Sequence, residues 1–177
     1  MTAGHCARDG YSQVYYKPSY EPNLRPFGQV QFWQIMGKPT VNDAFDFGTD
    51  AAFIRVNPDV APTIDTRIAG EVHITEYTNH AALKPGMEVC KMGYRTQESC
   101  GVIIATNETM TRAHIFGLHS DSGSPLYTYT DKANRKASLI GFLSSSPTAG
   151  NQSHDFLVDF ALVSPLAKKT DALIMGG

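Results

Sequence analysis

Along the chain, apolar residues fall in short runs that either alternate with polar ones or stand as brief continuous stretches, and glycine or proline separates the runs. Alternation with period two sends successive side chains to opposite faces, the signature of a half-buried strand. Gly28 to Ile35 (Gly-Gln-Val-Gln-Phe-Trp-Gln-Ile) has that pattern, and Asp50 to Val56 leads through Ala-Ala-Phe-Ile-Arg-Val into a second predicted strand. Further strands are predicted at Glu71–Tyr77, Met87–Lys91, Gly101–Ala105, Leu126–Tyr129, Ser138–Leu143 and Phe156–Ala161. Gly10 to Phe27 is rich in tyrosine and proline without a clear period, which predicts a long surface loop. Asn57 to Thr66, with its prolines and aspartates, predicts a linker between two lobes. One helix is predicted: Ser164 as N-cap, Pro165 at the first helical position, and Leu166 to Ile174 continuing it. Many short strands with a single terminal helix imply an all-β barrel or sandwich.

Composition narrows the picture. The 177 residues suit one domain or two small lobes, and 42% apolar residues is an ordinary globular fraction. A net charge of −2 with no block of like charge argues against a nucleic-acid or polybasic membrane partner. No run approaches the roughly 20 apolar residues of a membrane helix. The opening Met-Thr-Ala-Gly-His-Cys has neither the basic start nor the apolar stretch of a secretory signal, which on its own points to the cytoplasm. The cysteines say otherwise. Cys90 and Cys100 are ten apart in a stretch of turn residues and β-formers, a spacing that suits a hairpin-spanning disulfide better than a zinc knuckle. Cys6 then has no partner; it is a reactive thiol, half of an intermolecular bond, or a cysteine whose partner lies elsewhere. His73, His80, His114 and His154 show no ligand spacing and read as surface or loop residues, so no catalytic metal is expected. Asn107-Glu-Thr and Asn151-Gln-Ser match the glycosylation triplet, which arises often by chance.

Three spots carry chemistry. Thr2-Ala-Gly-His5-Cys6 holds a histidine behind two small residues. Asp50 opens an apolar strand, where a carboxylate would sit partly buried at the strand mouth. Asp121-Ser122-Gly123-Ser124-Pro125 sets a serine in a glycine-containing turn before a strand. A serine hydroxyl is a weak nucleophile until a base takes its proton, and the base needs a carboxylate to fix its tautomer and stabilise its cation. Taken singly, His5 reads as a surface or cap residue, Asp50 as a strand-edge or turn carboxylate and Ser122 as a turn serine. Together, in the order His, Asp, Ser, they resemble the chymotrypsin-like serine proteases. Met87-Glu-Val-Cys-Lys-Met-Gly through Cys100-Gly, and the closing Gly141-Phe-Leu-Ser-Ser-Ser, are similar to the streptogrisin and α-lytic protease branch.

That resemblance implies a double six-stranded β-barrel whose first barrel is incomplete, with a short C-terminal helix. Residues 1–60 would be the rest of the first lobe, carrying His5 and Asp50, and residues 61–177 the second lobe, carrying the nucleophile. It implies a secreted, monomeric endopeptidase acting on polypeptides, without nucleic acid, membrane or cofactor. The expected triad is His5, Asp50 and Ser122, with Asp43 and Asp46 as nearby alternatives for the carboxylate. The backbone N–H groups of Ser120 and Ser122 would form the oxyanion hole. Ser144 would hydrogen-bond the triad aspartate, and Ser144, Ser145 and Ser146 would offer an edge to a substrate strand. Lys91 would neutralise Asp121, in place of the family's usual arginine. Phe116 occupies the position where Arg/Lys-cleaving relatives carry aspartate, so an apolar P1 residue is expected; His119 and Ser146 at the pocket mouth would instead suit an acidic one.

Two departures matter. Ser120 stands where the family has glycine, so a side chain enters a tight turn. The chain also begins almost at the histidine, where relatives have further strands and the cysteine that pairs with the equivalent of Cys6. The alternative expectation is therefore an inactive protease-like remnant or a peptide-binding module. A thiol enzyme using Cys6 is a third.

Overall fold

A computed structural model describes residues 1–7, 12–17, 21–36, 49–65, 67–146, 148–149, 152–153 and 156–170. Strands dominate it. In the first part of the chain β1 (Gln13–Tyr16), β2 (Arg25–Met36) and β3 (Thr49–Val56) form an antiparallel sheet in the order β1-β2-β3. The strand β1 and the early start of β2 lie inside the segment expected to be loop. Val14, Tyr15 and Tyr16 are good strand formers, and Val14 and Tyr15 pair with Gly28 and Pro26 across a bulge that accommodates the proline. Thr2 adds a bridge to Ala52, with backbone hydrogen bonds of 3.0 and 2.8 Å. This pins the N-terminal segment on β3.

The expected linker contains a 3-10 turn, Ala61–Thr63, started by Pro62. After it come β4 (Arg67–Ile68), β5 (Val72–Tyr77), β6 (Glu88–Gly93), β7 (Gln97–Thr106), β8 (Met110–His114), β9 (Pro125–Asp131) and β10 (Lys136–Ser145). The short hairpin β11 (Thr148–Ala149) and β12 (Gln152–Ser153), then β13 (Leu157–Leu162) and α1 (Val163–Thr170), complete the described order. The order β13-β8-β7-β6-β9-β10 closes on itself through β13–β10 pairing, a six-stranded barrel. Closure removes the exposed edges that an open sheet would leave.

Alternation builds the barrel interior. Val89, Ile103, Ala113, Ile115, Leu126, Ile140, Leu143, Val158, Phe160 and Leu162 form one buried cluster. Their neighbours in sequence face outward, where Cys90, Tyr127, Ala137, Val72 and Ile74 make a second cluster beneath the β4–β5 hairpin. Strand β8 was not legible as a strand because Thr111 and Arg112 interrupt its apolar pattern. Arg112 pairs across β13 with the buried Asp159, at 2.7 Å to Oδ1 and 3.0 Å to Oδ2, which lets a charge sit in a barrel strand. Cys90 and Cys100 face one another across β6 and β7 and are joined in the expected disulfide. The helix α1 begins at Val163, one residue before the expected cap; the buried Ser164 hydroxyl accepts from the His80 backbone at 3.0 Å. The expected helical residues 171–174, and Asp43, Asp46, Asn151 and His154, lie outside the described residues.

Candidate active site

The histidine loop is built from residues too small to obstruct it. Ala3 is fully buried, and a Cβ on Gly4 would lie 2.6 Å from the Gln34 carbonyl oxygen and 2.8 Å from the Ala51 nitrogen. Only glycine allows the Gly4–Ala7 3-10 turn to approach β2 and β3 this closely. The turn presents His5 to the first residues of β3. Its backbone N–H donates to Asp50 Oδ1 at 2.8 Å, and its Nδ1 lies 2.8 Å from Asp50 Oδ2. Asp50 is 2% exposed, and Ser144 Oγ, from the end of β10, donates to the same Oδ2 at 2.6 Å. Three donors, two from His5 on the Gly4–Ala7 turn and one from Ser144 on β10, thus converge on one buried carboxylate.

The electrostatics follow. Burial works to raise the Asp50 carboxyl, but the hydrogen bonds from His5 and Ser144 and the His5 charge outweigh it and hold the group below its ordinary value. The hydrogen bond to Asp50 moves His5 well above the ordinary imidazole value; the neighbouring Cys6 thiol adds to this and burial opposes it. With Nδ1 committed to Asp50, the free Nε2 is the nitrogen left to exchange a proton with a reacting group. Cys6 itself is free and exposed.

Ser122 arrives on the turn from Leu118 to Ser124. Gly123 N donates to Leu143 O and Leu143 N to Ser124 O, each at 2.8 Å, which docks the turn on β10 beside Ser144. Gly123 has φ +82°, and a Cβ there would fall 2.2 Å from Thr2 Oγ1. The turn therefore packs directly on the segment that carries His5. The Ser122 side chain is exposed, and among the described residues no hydrogen bond joins its Oγ to His5. Such contacts are often long in a free enzyme and tighten around substrate.

Inside the turn, Asp121 is fully buried and accepts from Lys91 Nζ at 3.2 Å, Thr96 Oγ1 at 2.7 Å, Arg95 N at 2.9 Å and Leu118 N at 3.1 Å. The expected pairing with Lys91 is made, and Thr96 and Arg95, which the sequence did not single out, complete the shell. Both are turn residues on the β6–β7 hairpin, and only the fold reveals them. Ser120 has φ +82°, the left-handed conformation in which a glycine is favoured. Among the described residues neither the Ser120 nor the Ser122 N–H has an acceptor. Two unengaged donors flank one exposed hydroxyl.

The half-buried Phe116 stacks on Phe156 at 5.2 Å, and its carbonyl accepts from Ser99 Oγ at 3.0 Å. A Cβ on Gly117 would meet Val158 Cγ2 at 2.9 Å and Leu143 Cδ1 at 3.7 Å. Among the described residues the buried carboxylates other than Asp50, namely Asp121 and Asp159, are each held by a cation, Lys91 and Arg112. His119 is exposed and Ser146 partly exposed.

No protein-family model and no curated protein sequence matches the chain. Solved structures do. Thermobifida fusca Protease A is similar with a TM-score of 0.60 at 20% identity, over 99% of this chain and 83% of that one. Cellulomonas bogoriensis chymotrypsin gives 0.58 at 20% identity, over 99% and 85%. A serine protease described as glutamic-acid-specific, with a histidine triad in substrate binding, gives 0.62 at 18% identity, over 96% and 82%. Likeness at this identity establishes the fold: the chain is all-β, chymotrypsin-like, with a closed six-stranded barrel and one short helix.

Proposed function

We propose that the chain is a serine endopeptidase that hydrolyses peptide bonds through an acyl-enzyme, with Ser122 as nucleophile, His5 as general base and acid, and Asp50 as the group that orients and stabilises the imidazolium. The observation that carries this reading is the convergence of His5 and Ser144 on buried Asp50, beside an exposed serine whose flanking N–H groups are unengaged. His5 Nε2 takes the Ser122 proton as Oγ attacks the scissile carbonyl, then delivers it to the leaving amine. The Ser120 and Ser122 N–H groups receive the oxyanion that develops on the carbonyl oxygen. Asp121 stays buried and neutralised by Lys91, so no uncompensated anion stands under that oxyanion. Ser144, Ser145 and Ser146 pair with the acyl side of an extended peptide. Phe116, half-buried and packed on Phe156, favours an apolar P1 side chain, and among the described residues the buried carboxylates of the barrel are already paired with cations, which disfavours a basic one. Polypeptides are the substrates, the molecule acts as a monomer outside the cell, and the Cys90–Cys100 disulfide is compatible with that compartment.

The test is turnover of a chromogenic peptide anilide with phenylalanine at P1, set against the same peptide with lysine. Release of product from the phenylalanine substrate, abolished in Ser122→Ala, is the expected result. A purified, folded chain that cleaves neither would contradict the reading and leave a peptide-binding module, the role that the left-handed Ser120 favours.

A further inference from the structure

The nucleophile turn is held from two opposite sides. On one side β10 exchanges backbone hydrogen bonds with Gly123 and Ser124. On the other, the β6–β7 turn reaches over to it: Thr96 Oγ1 and the Arg95 N–H both donate to Asp121. On the endopeptidase reading, with the acyl part along Ser144–Ser146, the leaving-group side runs past Ser122 towards the β6–β7 turn, which also holds the nucleophile turn. The side chain waiting there is Arg95. Its Nη1 donates to the His119 carbonyl oxygen at 3.4 Å, which draws the guanidinium across the rim of the turn. It is exposed, and among the described residues it has no carboxylate partner. The turn's own carboxylate cannot serve, because Asp121 is fully buried and engaged with Lys91 and Thr96. A guanidinium has five donors in a rigid fork suited to a carboxylate, and here one is engaged. The exposed His119 and Ser120 border the same spot.

We propose that Arg95 forms a subsite for an acidic side chain on the leaving-group side of the scissile bond, so that the chain favours peptides with Asp or Glu just after the cleaved residue. The direction of the peptide rests on the endopeptidase reading above, and the cation and its position do not. The interaction is solvent-exposed, so it is modest and screened by salt. Substituting Arg95 leaves its backbone hydrogen bond to Asp121 in place, so the turn is retained.

The test uses the Ser122→Ala chain and fluorescein-labelled peptides Ala-Ala-Pro-Phe-Glu-Glu-Ala and Ala-Ala-Pro-Phe-Lys-Lys-Ala, followed by anisotropy at low salt. The acidic peptide is expected to bind about three-fold more tightly than the basic one, as an exposed ion pair allows, and Arg95→Glu in the same background reverses the order. Equal affinities, no binding of either peptide, or a preference that survives Arg95→Glu would each overturn the proposal. Turnover of the two peptides by the unsubstituted chain is read in parallel. A charge preference in binding without cleavage of either peptide contradicts the endopeptidase reading and leaves the subsite standing.

Discussion

Replacing Lys91 with methionine keeps an unbranched side chain one atom shorter and removes its charge. Lys91 Nζ lies 3.2 Å from Asp121 Oδ2 with both side chains 0% exposed, so the substitution leaves a carboxylate buried without its cation. Breaking a buried pair by removing one partner costs about 3–5 kcal/mol. Asp121 keeps the donors from Thr96, Arg95 and Leu118, which places the expected loss at the lower end, about 3 kcal/mol. The pH dependence has a definite sign. Burial pushes the Asp121 carboxyl up, but the hydrogen bonds from Thr96, Arg95 and Leu118, together with Lys91, bring it down to about 2. A depressed carboxyl contributes stability that is present above its unfolded value of about 3.9 and lost as pH falls towards 2. Without Lys91 the carboxyl takes up a proton at higher pH, so the gap between parent and variant narrows on acidification. Urea unfolding of both proteins at neutral pH and at about pH 3.5, on either side of the unfolded carboxyl range, measures this directly. A loss below about 1 kcal/mol at neutral pH, the value of an exposed pair, would refute the reasoning, as would a gap that widens towards acid.

Other consequences are as specific. Ser144→Ala removes one of three donors to Asp50, and should lower stability by about 1–2 kcal/mol while slowing serine acylation more than it weakens peptide binding; an unchanged acylation rate would show that Ser144 does not position Asp50. Acylation needs neutral His5, whose value is raised, so the rate should climb with pH to a midpoint above the ordinary 6.5. The corresponding stability from protonated His5 is complete below 6.5 and lost as pH rises through the folded value; a midpoint at or below 6.5 in a rate–pH profile would contradict both. Ser120→Gly relieves a left-handed residue at φ +82° and should raise stability by up to about 1 kcal/mol, with faster acylation; a destabilised variant in thermal unfolding would mean that the serine side chain makes a contact worth more than the strain.

The residues that the sequence made legible are those whose signal is local. Thr-Ala-Gly-His-Cys reads as a constrained histidine because Gly4 has no room for a Cβ, and Asp50 reads as a buried carboxylate because it opens Ala-Ala-Phe-Ile. The Cys90–Cys100 spacing reads as a hairpin clamp because antiparallel partners directly opposite one another fit a disulfide. What was not legible depends on partners far along the chain. Strand β8 hides behind Arg112, whose burial makes sense only once Asp159 is opposite it. Strand β1 hides among prolines and tyrosines, and is stabilised by pairing with β2 rather than by its own pattern. Thr96 and Arg95 carry no motif at all; the β6–β7 hairpin brings them to Asp121. The sheet of β1, β2 and β3 leaves Phe32 49% and Trp33 45% exposed, which an alternating pattern with one buried face does not anticipate.

The central claim is that His5, Asp50 and Ser122 act as one catalytic unit in this chain. Intact-mass detection of a fluorophosphonate adduct tests it most directly, because that reagent modifies a serine only where a base activates it. The account predicts a single adduct on the chain, absent from Ser122→Ala and strongly slowed in Asp50→Asn. A folded chain that stays unmodified, or an adduct that persists in Ser122→Ala, would contradict it.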